Sequence, residues 1–253
     1  MPTIAVVSPH LDDAVLSVGG LLWLLKDRFQ VEVITVFSAD PPEAVSPLAT
    51  MLAGSAGSTI SAVRRAEDER ALATLGVGHR HLGFDDAIHR TAEGRWLADD
   101  IADLFQLAPD EALIEQVARA LDDCLGPELD GLLGPAGVGR HVDHLVTAAA
   151  VARTPTEGVD RLTFVDLPYG ATEGRGEPRM RVPLPAAAWR AKVAAIGCYE
   201  SQLAGLFPGH GDVEHQTLVM SGGQAEWFSV DALDVDPDLL PLFEDLLTGS
   251  VAQ

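Results

Sequence analysis

The chain has 253 residues, enough for one large α/β domain or two small ones. Hydrophobic residues make up 47% and charged residues 22%, which excludes a disordered chain. Its 38 acids against 17 bases give a net charge of -21, a field that repels nucleic acid and anionic membrane surfaces, so neither is an expected partner.

The first residues, "MPTIAVVSPH", have neither the basic nor the long apolar region of a secretion signal. No apolar run reaches the roughly 18 residues of a membrane span. Two cysteines, Cys124 and Cys198, build no disulfide framework and read as reduced core thiols. A soluble, cytoplasmic protein is expected; its oligomeric state is left open, with a homo-oligomer one option.

"TIAVVS" (Thr3–Ser8) is a short apolar run, the pattern of a strand buried on both faces. A helix is predicted over Asp13–Asp27, from apolar residues at helical spacing, and a second strand over Val31–Ser38. Strand, helix and strand form a βαβ unit, hence a parallel sheet with a right-handed crossover. Ligands of such sheets bind beyond the carboxyl ends of the strands, where His10, Asp12 and Asp13 lie. Residues 39–58, rich in Pro, Ala, Gly and Ser, form a long loop on the same edge, either a lid or a surface excursion with a short helix. A helix is predicted over Thr59–Leu75, stopping at Gly76, and "HRHLGF" reads as a third strand with its exit.

The run "LADDIADLF" reads as a solvated acidic helix face, and an amphipathic helix is predicted over 110–124. "GLLG" (Gly131–Gly134) reads as a strand before a glycine-rich loop, followed by a helix over His144–Arg153 and a strand over Leu162–Leu167. A helix is predicted over 186–203, weak strands around 216–220 and 226–230, and a helix near 237–247. No repeat or linker stands out, so a single domain over 1–253 is expected, an α/β fold with helices flanking a mostly parallel sheet.

A second cluster, "GPAGVGRHVDHLV", places His141, Asp143 and His144 where a predicted strand gives way to a helix. In a parallel sheet both clusters fall on one edge. Imidazole and carboxylate donors suit a catalytic Zn²⁺ site, and also Fe²⁺, Co²⁺ or Mn²⁺; no thiol is nearby for a cysteine-rich structural site. Read alone, the first cluster could equally cap the following helix, since Asp is a favoured N-cap. "GPAGVG" lacks the ending of a phosphate loop, and no G-x-G-x-x-G follows the first strand, so a turn that delivers His141 explains the glycines better.

The motifs resemble those of the PIG-L/LmbE-like zinc N-deacetylases, the family that includes GlcNAc-PI de-N-acetylase. "PHLDDA" resembles the family's HPDDE motif and "HVDH" its HxDH motif. "RRAEDERALATLG", "HLGFDDA", "KVAAIGCYESQ" (with Tyr199 where His is usual) and "AEWF" resemble further family segments in the same order. The resemblance implies a Rossmann-like fold with a small C-terminal β/α extension. It implies hydrolysis of an N-acyl group, most often acetyl, on an amino sugar or related small metabolite by metal-activated water, with zinc as the expected metal. Carried over by motif, His10, Asp13 and His144 would be the metal ligands and Asp12 the general base. A protonated His141 would stabilise the oxyanion, supported by Asp143.

Two departures stand out. Leu11 replaces the family's proline, and Ala14 its glutamate. The family also implies an arginine near the pocket, here Arg64, although an ion pair with Glu67 on the helix surface is the plainer reading. Asp86, rather than Asp85, aligns with a family aspartate that could bind substrate hydroxyls. Arg140 could hold the oxyanion or an anionic substrate group. Ser201 and Gln202 read as braces for the late helix, and the remaining histidines as surface residues, with His210 and His215 candidates to line the site. Two other functions compete: a metal phosphoesterase, which would need more bridging carboxylates for a second ion, and an inactive metal-binding scaffold, against which the extra acid Asp12 speaks.

Overall fold

The structure, a computed structural model, describes residues 1–53, 60–155, 159–171, 179–207 and 212–229. Its strands are β1 (Thr3–Ser8), β2 (Gln30–Phe37), β3 (Gly78–Phe84), β4 (Thr91–Ala92), β5 (Arg95–Trp96), β6 (Leu129–Pro135), β7 (Asp160–Phe164), β8 (Arg179–Pro183) and β9 (Ala225–Ser229). Its helices are α1 (Asp13–Leu25), α2 (Pro47–Ala53), α3 (Ile60–Leu75), α4 (Glu111–Cys124), α5 (Val142–Arg153), α6 (Ala186–Ile196), α7 (Glu200–Leu206) and α8 (Val213–Met220).

A seven-stranded sheet of order β3-β2-β1-β6-β7-β9-β8 forms the centre, and β4-β5 is a separate hairpin. From β3 to β7 all pairings are parallel, whereas β9 runs antiparallel to β7 and to β8. The fold class is therefore α/β with a mostly parallel sheet and a small C-terminal β/α extension. Alternation along the strands supplies two cores. Ile4, Val6, Val31 and Val33 face α1, α3 and α6, while Ala5, Val7, Ile34 and Val36 face α4 and α5.

The order of strands reverses at β1, which lies between β2 and β6. The chain leaves β1 toward one flank and β6 toward the other, opening a crevice at their carboxyl ends. The loops carrying His10–Asp13 and His141–His144 meet there.

Helix α1 begins where the Ser8 hydroxyl accepts from the Ala14 backbone N–H at 3.0 Å; Asp12 makes no capping bond. The helix is kinked at Val18 (φ -131°, ψ 20°). The kink frees backbone N–H groups, and Glu226 from β9 accepts from Gly20 at 2.8 Å and Leu21 at 3.0 Å. Gly20 lets Leu184 pack close: a Cβ there would meet Leu184 Cδ1 at 2.4 Å and require that side chain to shift.

Several expectations are corrected. The helix over 186–203 is two helices, broken between α6 and α7. The break seats Tyr199, whose hydroxyl donates to Asp68 at 2.8 Å, and lets Glu67 cap α7 through the Ser201 N–H at 2.8 Å. The segment around 216–220 is helical, in α8, because Asp212 accepts from the His215 N–H at 2.7 Å and starts a helix there. "LADDIADLF" forms turns with a single 3₁₀ turn at Asp103–Phe105. Asp100 and Asp103 capture backbone N–H groups of neighbouring residues, competing with a helical ladder. Residues 47–53 of the long loop are helix α2. Cys124 and Cys198 are free and only partly buried, each packed against the margin of a core. The helix expected near 237–247, and His210, lie outside the described residues.

Candidate active site

Side chains of the two motifs converge beyond the carboxyl ends of the strands. His10, Asp13 and His144 bring their donor atoms within 4.8 Å of one another, all buried. Asp13 Oδ2 is the hub, 3.1 Å from His10 Nδ1 and 3.2 Å from His144 Nε2. Donors on one tetrahedral ion with bonds of about 2.0–2.1 Å lie about 3.3 Å apart, so this spacing fits a divalent cation. His144 Nε2 is buried without a hydrogen-bond partner. Behind it, His144 Nδ1 lies 2.6 Å from Asp166 Oδ1, the carboxylate support that a ligating imidazole needs.

The charges agree. Burial opposes a charge on His144, but Asp13 and Asp166 outweigh it and lift its pKa to about 9. Burial opposes charge on Asp13 too, yet the two imidazoles hold its carboxyl well below the usual range. Without a cation, protons supply the positive charge that these carboxylates demand; a metal ion would displace them.

Asp12 stands beside the hub, with Arg64 Nη2 at 3.8 Å. Burial raises its pKa to about 7 against the pull of Arg64. Arg64 therefore faces the site rather than pairing with Glu67, which accepts from Ser201 N and Oγ instead. The brace expected at Ser201 is present, facing α3.

His141 caps α5, its Nδ1 accepting from the Asp143 N–H at 3.3 Å. The backbone can only donate, so the ring proton sits on Nε2. Burial and the neighbouring His10 lower its pKa to about 4, which favours the neutral ring over the protonated one expected. The Asp143 carboxylate acts on it through charge alone, because its hydrogen bonds go elsewhere: it reaches His10 Nε2 at 3.1 Å, accepts from Ala87 N at 2.9 Å and pairs with Arg90. His10, His141 and Asp143 form a second possible ligand group, but it shares His10 and its carboxylate is already engaged.

Asp86 caps the 3₁₀ turn Ala87–His89, lies 3.7 Å from His10 Nε2 and lines the cleft, whereas Asp85 is exposed. Arg140 is exposed, in a left-handed turn (φ 62°), and does not line the cleft. Leu11 and Ala14 are buried at 3% and 2%, and Ala14 belongs to the apolar core, where a glutamate would have no place.

Sequence reasoning missed Asp166, Arg90, Phe105 and Tyr169. The Tyr169 ring lies 5.1 Å from His144 and 6.3 Å from His141, with Phe105 5.5 Å away. Burial and nearby carboxylates raise its pKa, keeping it a neutral phenol. Gly139 admits it: a Cβ there would meet Tyr169 Cβ at 2.4 Å. The tyrosine comes from the segment after β7, which no local signal ties to the HVDH motif. His10, Asp12, Asp13, Asp86, His141 and Tyr169 line a cleft of about 750 Å³.

Comparison with known proteins places this geometry. The family described as PIG-L, GlcNAc-PI de-N-acetylase, matches residues 5–154. A 2'-N-acetylparomamine deacetylase from Niallia circulans is 29% identical, covering 90% of each chain. Its counterpart from Streptomyces fradiae is 34% identical over 64% of this chain and 56% of its own length. The zinc-inhibited form of a teicoplanin deacetylase superposes with a TM-score of 0.78 at 26% identity, covering 90% of this chain and 97% of that one.

Proposed function

The chain belongs to the PIG-L family of de-N-acetylases, and from that premise we propose that it removes the N-acetyl group of an amino sugar within a small glycoconjugate, using zinc held by His10, Asp13 and His144. The observation that carries the reading is the convergence of these three donors beneath a cleft that His10 and Asp13 line, with Asp12 beside them as a base. The deacetylases of paromamine and teicoplanin intermediates that the chain resembles support an amino-sugar substrate.

A cation held by His10, Asp13 and His144 would supply Lewis acidity to the acyl carbonyl and to the attacking water. Asp12, at about 7, takes the proton of the attacking water and returns it to the leaving amine. His141 presents Nε2–H to the developing oxyanion, with the Tyr169 ring stacked beside it. Arg64 restrains Asp12 from one side, and Asp86 offers a carboxylate to sugar hydroxyls. Asp143 and Arg90 position His10; Asp166 positions His144. Arg140, exposed and outside the cleft lining, is assigned no role in this reading. A two-ion phosphoesterase finds no support, because Asp143 is committed to Arg90 and Ala87.

Among the described residues no helix is long and apolar enough to cross a membrane, and both cysteines are free. The test is metal content of the purified chain beside amine release from N-acetylated amino sugars. About one zinc per chain, lost together with activity in His10→Ala plus His144→Ala, is expected. A metal-free, inactive chain after zinc supplementation would overturn the reading.

A further inference from the structure

The run "LADDIADLF" ends inside the site, at Phe105. Its last three residues, Asp103–Phe105, form a 3₁₀ turn that nearby carboxylates hold in shape. Asp103 Oδ2 accepts from Asp99 N at 2.9 Å and Asp100 N at 3.1 Å, and Asp100 Oδ1 accepts from Ala102 N at 2.7 Å. Local bonds of this kind fix a turn without a helix around it. Leu104, 4% exposed, sinks into a small core shared with Leu48, Ala87, Ala98 and Val142. Val142 is the residue after His141. The turn is therefore seated at the start of α5, beside the His141 side chain.

His141 has a loose tether. Its one hydrogen bond among the described residues comes from the Asp143 N–H at 3.3 Å, beyond the usual range. What holds the plane of the ring is other rings. His10 lies edge-on at 5.1 Å, His144 tilted at 5.4 Å, Phe105 edge-on at 5.4 Å and Tyr169 stacked at 6.3 Å. His10 and His144 are themselves turned toward Asp13. Phe105 meets both remaining rings, His141 at an interplanar angle of 83° and Tyr169 at 69° and 5.5 Å. Such pairs favour one geometry, because ring edges are positive and ring faces negative.

We infer that Phe105 is a positioning residue for the deacetylation: it holds the His141 ring in the plane that aims Nε2–H at the developing oxyanion. This rests on the deacetylase reading above and on the part His141 plays in it. Phe105 moves no proton and touches no reacting atom. It acts through alignment, on which the worth of an oxyanion donor depends. The acidic run is thus the mount of a catalytic histidine.

The test uses the zinc-loaded full chain, with N-acetylated hexosamines and their methyl glycosides as substrates. Phe105→Ala lowers kcat about two- to tenfold, the worth of the edge-to-face contact, and leaves KM unchanged. Phe105→Leu refills the space without a flat ring and lowers kcat in the same way, which separates the effect from a folding defect. In a His141→Ala background Phe105→Ala lowers kcat no further. Nitrogen-15 imidazole spectra of the metal-free chain give a readout independent of turnover. There His141 is a single Nε2–H tautomer in the parent and a mixture in Phe105→Ala. A raised KM with kcat intact overturns the inference, because the ring would then hold substrate. Losses that multiply in the double variant overturn it too, as does an unchanged tautomer, and both leave the deacetylase reading standing. No amine release by the parent from any of the compounds overturns both.

Discussion

Two buried ionic clusters sit at different points along α1, and they are finished differently. At the N-terminal end, Asp13 Oδ2 collects His10 N at 2.8 Å, His10 Nδ1 at 3.1 Å and His144 Nε2 at 3.2 Å. Under the kink, Lys192 Nζ meets Glu226 Oε1 and the Ser17 carbonyl at 2.8 and 3.2 Å, and Glu226 receives two backbone N–H groups besides. Lys192 and Glu226 are both fully buried, and every charge there has a partner from the chain. The first cluster reaches balance only with protons or a cation from outside. A closed cluster holds the fold, and an open one is available for chemistry. Changes at the open cluster should therefore remove activity and spare stability, and changes at the closed one should do the reverse.

The largest effect expected is from Asp12→Asn. Loss of the base lowers kcat by on the order of 10²–10⁴ with metal content retained. Burial holds Asp12 at about 7, so its ionised form opposes folding at higher pH. Urea unfolding at pH 8 should show the variant no less stable than the parent. A large loss of stability would mean that Asp12 belongs to the fold.

Glu226→Ala should do the opposite. It strands the Lys192 ammonium and two N–H groups of α1, at a cost of about 3–5 kcal/mol. Lys192→Met with Glu226→Gln removes the charge and keeps an acceptor, so the double variant should lose clearly less in urea titrations. Equal losses would show that the pair acts through packing alone.

A smaller effect separates the metal-free from the metal-loaded chain. His144 rises from 6.5 to about 9 on folding. A raised pKa contributes stability that is complete below the unfolded value and is lost as pH climbs through the folded one. The metal-free chain should therefore lose on the order of 3 kcal/mol between about pH 6.5 and 9. With zinc bound, His144 carries no proton to lose, and the slope should flatten. Unfolding curves at several pH values, with chelator and with zinc, measure the difference.

The open cluster was legible in the sequence because its donors sit in two short motifs at strand ends, where a parallel sheet must bring them together. Its supports were not. Asp166 follows β7, and Arg90 follows a 3₁₀ turn, and only the fold places either behind a histidine. Tyr169 occupies space that Gly139 leaves open, a relation no spacing rule contains. The charge state of His141 depends on burial and on its distance from His10, neither of which a motif encodes. Periodicity found every strand of the parallel part but misread 186–203, where the long-range demands of Tyr199 and Glu67 override local helix propensity. Lys192 and Glu226 were visible as motif letters, but their meaning lies in a kink at Val18 that the apolar pattern of α1 conceals.

The smallest effect tests whether burial is what distinguishes the clusters. Arg80 and Glu32 form a two-pronged pair across β3 and β2, both bonds 3.2 Å long, with side chains 47% and 31% exposed. Water already solvates both partners, so Glu32→Gln leaves no buried charge behind. The variant should unfold within about 1 kcal/mol of the parent, and less in high salt, where the pair is screened. The chemistry of the pair is that of Lys192 and Glu226, and the environment is not. If Glu32→Gln cost as much as Glu226→Ala, the closed cluster would owe its effect to the ion pair as such, and the kink it caps would be incidental.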